Sequence, residues 1–120
     1  MKNRILIKHP KNWGLDEALT ENLTQKILVD FGYGAGVELS LLFVGQDRAK
    51  KMNQQYRQKD YIPQVLGFPM SKKADVDGVI RLGDVVICTK KLKYEAVFQK
   101  KTVEQILAEW LKHGVENLLK

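Results

Sequence analysis

Apolar residues recur along this chain with two periods, and the switches between them mark out its elements. From Thr102 to Lys120, the residues Val103, Ile106, Leu107, Trp110, Leu111, Gly114 and Leu118 follow at three- and four-residue steps. That spacing is the stripe of an amphipathic helix. Thr102 with Gln105 has the spacing of a capping box, which marks where the helix starts. A second helical period runs over Trp13–Asp30 through Leu15, Ala18, Leu19, Leu23 and Ile27, with Asp16 and Glu17 suited to its first turn. Gly32, Gly34 and Gly36 stop it. Val37–Val44 instead alternates, with Val37, Leu39, Leu41 and Phe43 on one face of a strand. Leu42 and Val44 fall on the other, so both faces are covered towards its end.

The remaining segments are shorter. Arg4–Lys8 is an apolar run flanked by bases and closed by Pro10, which predicts a first strand. Asp47 is placed to cap a second helix reaching about Lys59, with Ala49, Met52 and Tyr56 facing inward. Asp60–Gln64 reads as a turn and Val65–Phe68 as a strand closed by Pro69. Ser71–Gly78 is polar loop, Arg81–Cys88 a buried strand, and Lys90–Gln99 a helix. The order β-α-β-α-β-β-α-α predicts the α/β (α+β) class: a single domain over residues 1–120, with a four-stranded mixed sheet packed by about four helices. The glycine-rich GYGAG at residues 32–36 follows a helix and precedes a strand, the reverse of a dinucleotide or P-loop site, and is read as a helix stop.

Composition narrows the class further. The 120 residues are 44% apolar and 28% charged, as in an ordinary globular domain, and no apolar run approaches a membrane span. The apolar run near the N-terminus is three residues long, which predicts no signal peptide. One cysteine, Cys88, leaves no internal disulfide and fits a reducing, cytoplasmic setting; a small buried strand residue accounts for it. The net charge is +6, and it is unevenly spread. Arg48, Lys50, Lys51, Arg57 and Lys59 form one cluster, and Lys90, Lys91, Lys93, Lys100 and Lys101 another. Such clusters suit either a polyanion, whose phosphates release counterions on binding, or a solvated helix face.

At about 100° per residue, His113 falls on the edge of the C-terminal stripe beside Ile106, and Asn117 points into it. A histidine and an amide one turn apart, half-sunk in an apolar face, make either a polar site or a satisfied pair in the core.

Several short patterns then occur in a telling order. Asn53, Tyr56, Arg57, Lys59 and Asp60 come first, followed by Val65, Leu66, Gly67, Phe68 and Pro69. Leu82, Gly83, Asp84, Val85, Val86 and Ile87 come next, and His113 with Gly114 last. Together they resemble the YbeY family of bacterial rRNA maturation factors, described as metal-dependent endoribonucleases. The family patterns are N-x-x-Y-R-x-K-D-x-P-T-D-V-L-S-F-P, L-G-D-[IV]-x-I and H-G-x-x-H-L-x-G-Y-D-H, and the resemblance covers almost the whole chain. Departures stand out as clearly. Gln64 replaces the acidic residue, Gly67 replaces the serine, Asn117 stands at the second histidine, and Lys120 precedes the Gly-Tyr-Asp-His that carries the third.

The resemblance implies a zinc ion held by three side-chain nitrogens with an open position for water. His113 and Asn117 match the first two positions, and an amide oxygen is better suited to harder cations. His9, the other histidine, has no spacing that recruits it. The resemblance also singles out Arg57 with His113 as catalytic candidates, a guanidinium being suited to bidentate phosphate recognition. Capping of helix carbonyls or pairing with Asp60 is the alternative account of Arg57. Arg48, Lys50, Lys51 and Lys59 would extend a phosphate track beside it, and Asp84 would orient backbone at the sheet end. The implied partners are ribosomal RNA and a small-subunit ribosomal protein, with no membrane. The expected function is binding and processing of ribosomal RNA in ribosome assembly, with hydrolysis weak or lost. The alternatives are an active metal-dependent endoribonuclease with other ligands, and a non-catalytic interaction domain.

Overall fold

The structure is a computed structural model and describes residues 2–120. Its elements are β1 (Arg4–Lys8), α1 (Glu17–Asp30), β2 (Val37–Val44), α2 (Gln46–Arg57), β3 (Val65–Pro69), β4 (Ile80–Cys88), α3 (Thr89–Phe98) and α4 (Val103–Leu119). The strands form one mixed sheet in the order β1-β2-β4-β3, as expected of an α/β domain with four helices. β1 and β4 flank β2 in parallel, and β3 runs antiparallel on the outer side of β4. Parallel neighbours cannot be joined by a tight turn, and α1 supplies the crossover from β1 to β2.

The alternation in β2 divides the molecule into two packed layers. Leu39, Leu41 and Phe43 join Val85 and Ile87 of β4 on one face. Against them lie Leu28 of α1, Leu92 and Ala96 of α3, and Ile106, Leu107, Trp110, Leu111, Val115 and Leu118 of α4. On the opposite face Val44, Leu66, Val86 and Cys88 close a smaller cluster with Ala49 of α2. Cys88 is buried there, as its small apolar character requires. No helix of the described residues is long and apolar enough to cross a membrane.

Three local expectations change. The first helix begins at Glu17 rather than Trp13, because Gly14 turns at φ +72° and Asp16 is the N-cap, accepting a hydrogen bond from the Leu19 N–H at 3.0 Å. Trp13 packs from outside the helix, stacked on Phe43 with ring centroids 5.2 Å apart. The buried positions of α1 include Thr20 and Thr24, whose hydroxyls donate to the carbonyls of Asp16 and Thr20. A threonine satisfied in this way can face a core, which an apolar count does not register. In α2, Gly45 is the N-cap and Asp47 lies in the first turn. Tyr56 does not face inward: it is exposed and meets Phe68 edge-on at 5.2 Å.

Between Glu38 and Leu39 the β2–β4 register shifts, leaving Leu82 as an extra residue in β4. Gly83, next in the chain, sits at φ +136°, and a Cβ there would lie 2.2 Å from the Phe68 carbonyl oxygen. The glycine of the Leu82-Gly83-Asp84 pattern therefore lets β3 approach β4. Asp84 lies within β4 between Ser40 and Phe68, not at a sheet end, so it does not orient loop backbone there. Beside the bulge, the Arg81 guanidinium joins Glu38, Asp75 and Asp77 at 2.8, 2.7 and 2.9 Å, tying the β3–β4 connection to β2.

Candidate functional site

The C-terminal helix is built as its pattern dictates. Thr102 Oγ1 accepts from the Gln105 N–H at 3.1 Å, and Gln105 Oε1 accepts from the Thr102 N–H at 2.9 Å. This reciprocal box fixes the rotation of α4, which sets the positions of His113 and Asn117. Ile106, Trp110, Leu111, Gly114, Val115 and Leu118 are buried, whereas His113 is exposed and Asn117 half-buried. Thus His113 is not half-sunk in the apolar stripe. The side-chain hydrogen bonds on α4 lie at its start, at Thr102–Gln105 and Lys101–Glu109, and at its C-cap, where Lys72 Nζ donates to the Lys120 carbonyl at 2.9 Å; among the described residues none joins His113 to Asn117.

The helix backbone comes unusually near the sheet at this level. A Cβ on Gly114 would stand 2.5 Å from Val85 Cγ1, well inside the ~3.5 Å at which two carbons first make comfortable contact. A Cβ on Gly67 would lie 3.0 Å from Asn117 Cβ and 3.3 Å from the Gly114 carbonyl oxygen. Gly67 and Asn117, two of the positions that depart from the pattern quoted above, therefore face each other across the β3–α4 contact. Sequence spacing gave no sign of this, because the two are brought together only by the packing of α4 on the edge strand.

The basic residues of α2 occupy the other side of the sheet. Arg48, Lys50, Lys51, Arg57 and the adjoining Lys59 are all exposed. Asp60 is engaged by Lys50 at 3.7 Å and by the Gln54 amide at 2.8 Å, so it does not pair with Arg57. Gln58 closes the helix in the left-handed region at φ 53°. Asn53, fully buried, donates from Nδ2 to the Tyr61 carbonyl at 3.0 Å and anchors the following loop. Its Oδ1 is buried with no hydrogen-bond partner among the described residues. Arg57 and His113 thus lie on helices packed against opposite faces of the sheet, and among the described residues no hydrogen bond joins the two side chains.

The donor set does not fit a three-ligand zinc site. No group of three His, Cys, Asp or Glu side chains among the described residues could hold a metal ion. His113 and Asn117 supply one imidazole and one neutral amide. His9 cannot be recruited in its present state: Nδ1 faces the Pro10 carbonyl at 2.9 Å and Nε2 faces Glu17 Oε1 at 2.7 Å. Both partners accept, and the Pro10 carbonyl foremost, with Glu17 after it, raises the pKa of His9 above its usual value. With both ring nitrogens turned to acceptors, neither presents a lone pair to a metal in this arrangement.

The succession of sequence patterns on this architecture can be set against known proteins. The model of the family described as endoribonuclease YbeY matches residues 8–119. This chain belongs to the YbeY family. An endoribonuclease YbeY of Acinetobacter baumannii is 34% identical over 108 residues, spanning 88% of this chain and 68% of the relative. Another from a Janthinobacterium species is 37% identical over 81 residues, spanning 68% of this chain and 52% of its own length. The solution structure of TM1509 from Thermotoga maritima superposes with a TM-score of 0.61 at 30% identity, covering 98% of this chain and 72% of that one. In this YbeY-family chain the scaffold is held by buried positions on β2, β3 and β4 and on the helices packed against them. The departures gather at exposed or half-buried positions around β3 and the end of α4.

Proposed function

We propose that this YbeY-family chain binds ribosomal RNA during ribosome assembly in the cytoplasm, with hydrolysis weak or lost in residues 1–120. The observation that carries the reading is a family scaffold whose presumed metal position offers one imidazole and one amide instead of three nitrogens. RNA recognition does not need the missing ligands. The exposed cations of α2 are placed to neutralise phosphates, and Arg57, free of Asp60, supplies the planar fork suited to a phosphate oxygen pair. A small-subunit ribosomal protein is the second partner this reading calls for, on the strength of the family alone.

Zinc content and RNA binding are the measurements that test it. Purified protein is expected to hold zinc far below one equivalent, and His113→Ala to leave that content unchanged. Binding of single-stranded RNA is expected to weaken steeply with salt. Each phosphate contact contributes about −0.7 to the slope of log K against log salt, so Arg57→Ala should reduce the slope by about that amount. Stoichiometric zinc that disappears in His113→Ala, together with RNA cleavage, would instead establish a working metal-dependent endoribonuclease. Absence of RNA binding at low salt would leave only an interaction domain. Asn117→His asks whether one restored imidazole suffices to raise metal affinity on this scaffold.

A further inference from the structure

The helix α3 turns an unusual surface to solvent. Leu92 and Ala96 bury its inner side, and Tyr94, Val97 and Phe98 on the outer side are 61, 81 and 71% exposed. The rings of Tyr94 and Phe98, one turn apart, lie with centroids 6.1 Å apart and planes inclined by only 12°. Large exposed apolar groups in one place mark a surface that meets a partner. The charges around them indicate its nature. Between Thr89 and Lys101 there are five lysines and one carboxylate, Glu95, which accepts a hydrogen bond from the Gln99 amide at 2.8 Å. Two of the lysines are committed: Lys93 lies over the Trp13 ring at 5.8 Å, and Lys101 pairs with Glu109 at 2.9 Å. Lys90 and Lys100 are exposed at the two ends of the aromatic pair.

We infer that this face of α3 binds single-stranded RNA, with bases stacking on Tyr94 and Phe98 and phosphates held by Lys90 and Lys100. The inference rests on the RNA-binding reading above and adds to it a second contact surface, separate from the cations of α2. Near-parallel aromatic planes between free cations are the arrangement that accepts successive bases without reading their identity. A protein partner would have to cover the same rings with apolar surface and also set carboxylates against the lysines at both ends, whereas one RNA strand carries stacking bases and phosphates together. From Lys90 to Phe98 the helix rises about 12 Å, room for about three nucleotides at the ~3.4 Å rise of a stacked strand. Sequence reading noted the lysines here but not the aromatics at i and i+4 among them, the signal that would have identified the surface.

The test is fluorescence anisotropy of a labelled single-stranded oligouridine with the full chain, across a salt series. Tyr94→Ala/Phe98→Ala is expected to weaken binding by about tenfold or more with the salt slope unchanged, since stacking carries no counterion release. Lys90→Ala/Lys100→Ala should reduce the slope by about 1.4, the sum of two phosphate contacts. All four side chains are exposed, and circular dichroism checks that the variants remain folded. As an independent readout, photo-crosslinking to an iodouridine-substituted strand should map to Tyr94 or Phe98. Binding by the aromatic variant within about twofold of the parent overturns the inference, even if the same variant sheds a co-purifying protein. Crosslinks confined to α2 overturn it as well. If Arg57→Ala weakens binding while the aromatic variant does not, this inference falls and the proposed function stands. If the parent chain binds no RNA, both fall.

Discussion

Gly114 is the position where the close approach of α4 to the sheet can be tested most directly. In an unconstrained helix, Gly114→Ala would stabilise by about 1 kcal/mol through backbone propensity. Burying the added methyl would contribute about 0.8 kcal/mol more. Here the methyl would stand 2.5 Å from Val85 Cγ1 and 3.1 Å from Cγ2. Turning Val85 about χ1 can replace the nearer methyl by hydrogen, but a methyl then remains in the 3.1 Å position. A β-branched residue has little rotamer freedom to spare, and Val85 is fully buried. Relief must come from moving α4 off the strand, which disturbs Ile106, Trp110, Leu111 and Leu118 along with it. Overpacking of this kind costs about 1–3 kcal/mol in net measured stability.

The expected result is therefore a loss of about 1–3 kcal/mol for Gly114→Ala, read by urea and thermal unfolding, at about 4 °C of Tm per kcal/mol for a domain of this size. Val85→Ala alone removes two buried methyls and should cost about 2 kcal/mol. The double variant should be more stable than the sum of the two losses by about 1 kcal/mol or more, because the new methyl occupies the vacated space. A Gly114→Ala variant as stable as the parent, or a double variant that is merely additive, would refute the argument that this glycine is required by contact with Val85.

Two further predictions concern smaller parts of the structure. Thr102→Ala removes the acceptor for the Gln105 N–H and should lower stability by about 1 kcal/mol, whereas Thr102→Ser should stay near the parent in urea midpoint. The Arg81 guanidinium, and after it the Val79 N–H, holds the Asp77 carboxyl from its ordinary 3.8 down to about 2. A pKa depressed by folding gives stability that is present above the unfolded value and is lost as pH falls through the folded one. The stability difference between the parent and Asp77→Asn should therefore be constant at neutral pH and shrink from 3.8 towards about 2; parallel acid profiles would rule the pairing out as a contributor.

The parts of the fold that were legible in the sequence are those where side-chain periodicity and burial coincide. β2 alternates in sequence and in space, and its last residues are covered on both faces because α2 begins after a single intervening residue, Gly45. The stripe and the cap of α4 were equally readable, since both depend on residues within one helix. Reading failed where a polar group is buried by satisfying itself locally. Thr20 and Thr24 close their hydroxyls on their own helix, and Asn53 ties down the Tyr61 carbonyl, so α1 and α2 bury residues that hydropathy assigns to solvent. Tyr56 goes the other way, reaching Phe68 from the surface. At the candidate site, the pattern located His113 and Asn117 on one side of α4 but not the Gly67–Asn117 contact, which depends on tertiary packing.

That contact explains how membership in a catalytic family and a depleted donor set coexist in one chain. The distance between α4 and the sheet is set by Gly114 against Val85 and by Gly67 against Asn117, so changing it means moving a helix that carries six buried side chains. Many packing terms oppose such a movement together. The donor at residue 117, by contrast, is changed by one side chain whose Cβ stays where it was. The tip of that side chain lies on a half-buried surface and can be altered without reopening the core. Scaffold and chemistry therefore sit on different energetic scales here: the first is held by the whole helix–sheet interface, the second by a few atoms at its edge. On this argument, Asn117→His should leave the unfolding midpoint close to the parent's while changing metal affinity. A large loss of stability in that variant would mean that the amide itself is part of the packing.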